Sequence, residues 1–241
     1  MRRLLWPTLF TFFSLAILVS LSIWQVERRT EKLNLVAHLS EQLNAAPVVL
    51  SSLRGFEEKD AAALHWRHVI LAGRFGETPP LRLYALNEQG TPGHRLIAPF
   101  HLDDGATVLI DRGFVPLHFD MRNVADTPEG FVRIKAVLHP AMRLSYFTPE
   151  DEPGERLFYR RDYPGMFAAL NIISNKDTPA LLFDLTTSGL RSDEFPLITP
   201  PVVELSNPHL GYAITWAGLA LGLLVIYGLY AWREIKREQK T

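Results

Sequence analysis

The stretch Asn207-Pro208-His209-Leu210-Gly211-Tyr212-Ala213-Ile214-Thr215-Trp216 opens a run with no Asp, Glu, Lys or Arg that continues to Trp232. A run of this length exceeds the ~20 residues needed to cross a ~30 Å hydrocarbon layer. Asn207 reads as a helix cap and Pro208 as the first helical residue, where a missing N–H is no loss. The expectation is a transmembrane helix over 207–232 with His209 at its mouth, followed by a tail of residues 233–241.

At the other end, Leu4 to Val26 is also uncharged and carries Trp6 and Trp24. At the α-helical rise those indoles lie ~27 Å apart, the spacing of an interfacial aromatic belt. A cleaved signal peptide has an apolar run of only about 7 to 15 residues and a small-residue site after it, and neither is present. Arg2, Arg3, Arg233, Lys236, Arg237 and Lys240 outweigh Arg28, Arg29 and Lys32, which predicts that both termini are cytoplasmic. Since the first span begins directly after Met1-Arg2-Arg3, no mitochondrial transit peptide fits before it. The predicted organisation is residues 1–3 cytoplasmic, 4–26 spanning, 27–45 a juxtamembrane helix with Leu33, Val36, Ser40 and Leu43 on one face, and 46–206 a periplasmic domain. The setting is a bacterial inner membrane, with lipid around both spans.

Composition narrows the possibilities. With Lys+Arg 25 against Asp+Glu 26 over 241 residues, there is no electrostatic case for binding nucleic acid. Cysteine is absent, which excludes disulfides, thiolate metal sites and cysteine nucleophiles. After Pro47 short β-rich runs alternate with turn residues: 69–75, 81–87, 96–102, 107–111, 131–138, 157–159, 181–185 and 202–205. Asp104-Gly105 predicts a type I′ hairpin between the third and fourth of these. A helical interruption is expected around Met166 to Leu170, and no dozen-residue helices alternate with the strands. The fold class is therefore a membrane protein of α+β type, in which two transmembrane helices flank a mostly antiparallel β domain, a sheet or a partly closed barrel.

Enzyme motifs are missing: no Gly-x-Ser-x-Gly elbow, His-Glu-x-x-His, P-loop or Gly-x-Gly-x-x-Gly occurs. The acidic pairs Asp103-Asp104 and Glu57-Glu58 read as solvated turn residues. His65-Trp66-Arg67-His68 reads as an aromatic strand entry, whose pleat does not favour a shared metal. Arg112-Gly113 has two readings, an anion-orienting group or a strand end with a paired arginine. Helical geometry puts Gly211, Thr215, Gly218 and Gly222 within about 60° of one another, a small-residue face for close helix packing. His209, Tyr212 and Trp216 head an opposite, aromatic arc that continues to Tyr227 and Tyr230. Neutral imidazole is a metal ligand, so this arc is either a cofactor edge or an interfacial belt.

The sequence resembles the surfeit locus protein 1 family of cytochrome c oxidase assembly factors over nearly its whole length. The likeness lies in Trp24-Gln25-Val26-Glu27-Arg28, in Gly73-Arg74-Phe75, in Val108-Leu109-Ile110-Asp111-Arg112-Gly113-Phe114-Val115-Pro116, in Phe147-Thr148-Pro149, and above all in Asn207 to Trp216. Phe114 stands where Trp is common and Asp111 where Asn is common. What the resemblance implies is a non-enzymatic helper that binds haem a and aids its insertion into oxidase subunit I after receiving it from haem a synthase. On that likeness His209 is the haem ligand, with Tyr212 and Trp216 beside the ring.

Overall fold

The computed structural model describes residues 2–53, 56–140, 148–173, 179–187, 194–198 and 207–238. Its elements run α1 (Arg2–Asn44), β1 (Val48–Leu50), α2 (Glu58–Leu64), β2 (His68–Phe75), β3 (Leu81–Leu86), β4 (Pro92–Leu102), β5 (Thr107–Pro116), β6 (Val132–Leu138), β7 (Leu157–Phe158), α3 (Tyr163–Ala169), β8 (Leu182–Leu185) and α4 (His209–Glu238). The chain divides into two compact units, Met1–His38 with Val203–Thr241, and Leu39–Val202.

In the helical unit α1 and α4 are each long and apolar enough to cross a membrane. They pair antiparallel through four hydrogen-bonded levels. Thr8 Oγ1 meets Tyr227 Oη at 2.5 Å, and Ser22 Oγ donates to the Ala213 carbonyl at 3.0 Å. Gln25 Oε1 meets His209 Nδ1 at 2.7 Å, and Asn207 Nδ2 donates to the Arg29 carbonyl at 3.4 Å. Thr8 to Arg29 is 21 positions and Tyr227 back to Asn207 is 20, so the register holds along the pair. The less exposed side chains recur at three or four residues: Thr11, Ser14, Leu18, Ser22 and Gln25 on α1, and Ala213, Trp216, Ala220, Leu223 and Tyr227 on α4. Such spacing is close to the 3.5-residue period of a paired-helix seam. Small residues let the backbones approach, while hydroxyl and amide groups cross-link them.

Asn207 is not the cap that its position predicts. Its buried Oδ1 has no partner among the described residues, and the first α-helical bond is the one Tyr212 N–H donates to the Pro208 carbonyl. The amide has turned toward α1 instead of its own helix, which leaves Pro208 as the flanking residue and starts α4 at His209, one residue later than expected.

In the β unit five strands close on themselves in the order β2-β6-β8-β5-β4. The ring is completed where Gly73, Arg74 and Phe75 pair with Leu102, His101 and Phe100. A Cβ on Gly73 would overlap the His101 carbonyl, so this seam needs glycine. β1, β3 and β7 flank the ring, on β2, β4 and β3 respectively. Most pairings are antiparallel, as expected; β1–β2, β3–β7 and β5–β8 are parallel.

The period-2 alternation of a strand sorts side chains between two cores. Val108 and Ile110 of β5 face the barrel interior with Val69, Leu71, Phe100 and Phe183. Leu109 and Leu182 face outward beneath Met166 and Phe167 of α3. That helix starts three residues before the predicted interruption, because Asp162 Oδ1 accepts from Gly165 N–H and caps it. The predicted strand at 202–205 lies outside the described residues. The Asp104-Gly105 turn is not type I′. Only Gly105 has positive φ (+85°), and Leu102 N–H reaches the Ala106 carbonyl, giving a longer hairpin loop. Asp104 is held elsewhere, accepting from Ser52 Oγ and Leu53 N–H, each at 2.7 Å.

Beneath α3 the outward side also holds an ion cluster. Asp111, fully buried, accepts from Arg95 Nε with Oδ2 and from Gly113 N–H at 3.0 Å with Oδ1. Arg161 bridges it to Asp184 with contacts of 3.5 and 3.0 Å. Burial pushes the Asp111 carboxyl up from its ordinary range, against the pull of the Arg95 guanidinium. Burial alone would lower Arg161, but Asp184 and Asp111 together hold it above its usual value. Tyr163, whose hydroxyl donates to the His139 and Pro140 carbonyls, is pushed up to about 12 by burial.

Candidate functional site

The helical unit offers one ring nitrogen prepared for a ligand. His209 occupies the first turn of α4, on the stripe that faces α1, where it meets Gln25 at the far end of the apolar run of α1. Gln25 is buried, a single carboxamide among Ile23, Trp24 and Val26, and its Oε1 can only accept. The hydrogen of that bond is therefore carried by Nδ1, which leaves the Nε2 lone pair available. A hydrogen bond on one imidazole nitrogen that fixes tautomer and ring orientation is what metal-ligating histidines have in common.

Trp216 lies two turns further along the same stripe, half-buried, and its buried Nε1 has no hydrogen-bond partner among the described residues. Tyr212 is instead on the exposed side, 55 % accessible. The structure thus groups His209 with Trp216 and sets Tyr212 apart, although all three belong to the first two turns and a half. Gly211, Thr215, Gly218 and Gly222 are exposed and turned away from α1; a Cβ on any of the three glycines would meet nothing within 4 Å. Thr215 Oγ1 folds back on the Gly211 carbonyl at 2.9 Å. The small-residue face is consequently vacant, and the pairing of α1 with α4 uses the alanines at 213 and 220.

Gln25, the partner of His209, is not among the candidate site residues that the sequence singles out. Its signal is plain in retrospect: a carboxamide within an apolar run costs free energy unless it finds a polar partner, so its presence asks for one.

Other sequence candidates go elsewhere. Trp66 takes a left-handed conformation (φ +64°) and packs edge-on against His139 with ring centroids 4.6 Å apart, so His65 and His68 do not share a strand. Glu57 caps α2 through a reciprocal pair with Asp60. Among the described residues, no three His, Cys, Asp or Glu side chains converge as a metal site. A single imidazole serves a metal that brings most of its own ligands, as a haem does.

A sequence profile of the SURF1 family matches residues 12–221. The chain is 29% identical to surfeit locus protein 1 of Rattus norvegicus over 232 residues, 87% of this chain and 71% of the rat protein. It is 26% identical to a SURF1-like protein of Monosiga brevicollis, covering 86% and 80% of the two chains. A SURF1-like protein of Rickettsia felis is 23% identical, with 92% and 95% covered. With the profile spanning both apolar helices in part and the whole β barrel, the chain belongs to the SURF1 family.

Proposed function

We propose that this protein is a non-enzymatic assembly factor for haem-copper cytochrome c oxidase, which takes haem a from its synthase and presents it to subunit I. In this reading α1 and α4 form a hairpin through a bacterial inner membrane, with both termini cytoplasmic and the β domain periplasmic. The observation that carries it is the Gln25–His209 hydrogen bond, which orients the imidazole and leaves the Nε2 lone pair to hold an iron. Haem a is the cargo: His209 would hold its iron and Trp216, on the same stripe, would border the macrocycle, while Tyr212 on the exposed side would reach only its edge.

Coexpression with haem a synthase and purification of the full chain in detergent tests the proposal. The parent protein is expected to carry a haem a absorption spectrum and His209→Ala to lose it; unchanged haem content in the variant would remove His209 from the site. A second reading is a scaffold without haem, favoured by the vacant Gly211, Thr215, Gly218 and Gly222 face. It expects Gly218→Leu to abolish pull-down of subunit I while haem content stays unchanged, and undiminished pull-down would count against it.

A further inference from the structure

The barrel interior ends in a cation that the fold leaves mostly unused. Along β5 the inward positions Val108 and Ile110 are followed by Arg112, only 8% exposed. A guanidinium has five N–H donors. Among the described residues it makes one hydrogen bond, from Nη2 to the Ala125 carbonyl at 2.6 Å, and no ion pair. Burial lowers Arg112 from its usual value, with the Asp126 charge opposing from beyond contact distance.

This guanidinium lines a cavity of about 520 Å³ at the barrel mouth. Phe75, Val132, Ile134 and Leu185 supply apolar wall, and Arg133 and Asp126 are the other charged residues there. A further wall is Pro196, brought in because Phe114 and Leu197 exchange backbone hydrogen bonds of 2.8 Å each way. That approach requires Gly113, which has φ +125° and where a Cβ would overlap the Leu197 carbonyl. The run Asp111-Arg112-Gly113 therefore has three separate tasks: an outward ion cluster, an inward cation, and room for the cavity wall.

We infer that this cavity binds a monocarboxylate with an apolar body, its carboxylate on Arg112 and its apolar part against Phe75, Val132, Ile134 and Leu185. The volume falls within the roughly 300–1,000 Å³ of small-molecule sites, which combine apolar walls with few polar anchors. Two arginines against one aspartate leave a single positive charge, which matches a monoanion better than a phosphate monoester. A planar guanidinium also fits a carboxylate with two parallel hydrogen bonds.

The test uses the full chain in lipid nanodiscs and decanoic acid carrying a diazirine on its chain, with the methyl ester of the same probe as control. After photolysis, labelled peptides are located by mass spectrometry. The acid is expected to label the peptides around 126–134 and 185 about tenfold more than the ester does. Unlabelled decanoate should compete, and Arg112→Met should reduce the labelling about tenfold at an unchanged melting temperature. Equal labelling by acid and ester, label confined to the apolar helices, or undiminished label in Arg112→Met would overturn the inference. Should Arg112→Met fail to fold, the acid-to-ester ratio on the parent chain decides alone.

Discussion

Asp111 and His209 are both polar side chains held by neighbouring groups, the first with both carboxylate oxygens engaged and the second with one nitrogen of two. Asp111 receives Arg95, Arg161 and a backbone N–H, and Asp184 completes the charge balance. Among the described residues His209 donates to Gln25 alone. A saturated polar group reports on the fold, since every donor and acceptor is needed to offset its desolvation. An oriented group with one valence left over reports on a ligand. The same contrast separates Asp111 from its sequence neighbour Arg112, one pleat away on the opposite face of β5.

The sharpest way to break the comparison is Asp111→Ala. It strands the Arg95 guanidinium, leaves Arg161 with Asp184 alone, and is expected to cost about 3–5 kcal/mol of β-domain stability in a denaturant titration. A loss under about 1 kcal/mol would mean that the cluster is solvated and no more structural than His209. Gln25→Leu should do the reverse: haem a affinity falls about 10- to 100-fold, while β-domain unfolding is unmoved and the helix pair loses only about 0.6 kcal/mol. Unaltered affinity in a spectroscopic titration would show that His209 is not set by Gln25.

The smallest effect is the pH dependence of the β domain. Burial, reinforced by Arg161, lowers the His139 pKa; burial lowers His65, His68 and His94 as well. A histidine whose folded value lies below its unfolded ~6.5 takes up a proton more readily when unfolded. Stability from this source is complete above about pH 6.5 and declines as the pH falls below it. Melting of the β domain should drop by a few degrees between pH 7.5 and 5.5, and His139→Gln should flatten the slope; a melting point that rises on acidification contradicts the assignment.

Much of the architecture was legible because the signals were local. The two uncharged runs, the alternating strands and the turn residues between them each state their conformation over a few positions. What escaped depends on distant partners. β5 runs on to Pro116, past the point where Asp111-Arg112-Gly113 reads as a stop, because Arg95 of β4 neutralises Asp111 from across the sheet. β1 is only three residues long and gains its identity from pairing with β2. The split of Tyr212 from His209 and Trp216 could not be read from a helical wheel, which orders residues by angle without saying which angle meets α1. Gln25 was visible as a letter in a shared run, but its partner lies 184 positions away.

Ring closure in the β domain has a consequence for how the chain is made. β8 joins β5 on one side and β6 on the other, with Leu109 paired to Leu182 and Leu138 to Phe183. Until residues 182–185 emerge, β5 and β6 each present a bare edge, and the cylinder cannot form however complete its other strands are. Contacts this distant in sequence are slow to find, and open edges invite pairing with other chains. Synthesis therefore delivers the keystone after the other described strands, so that a ribosome stalling short of Leu182 leaves an open, adhesive sheet instead of a smaller stable domain.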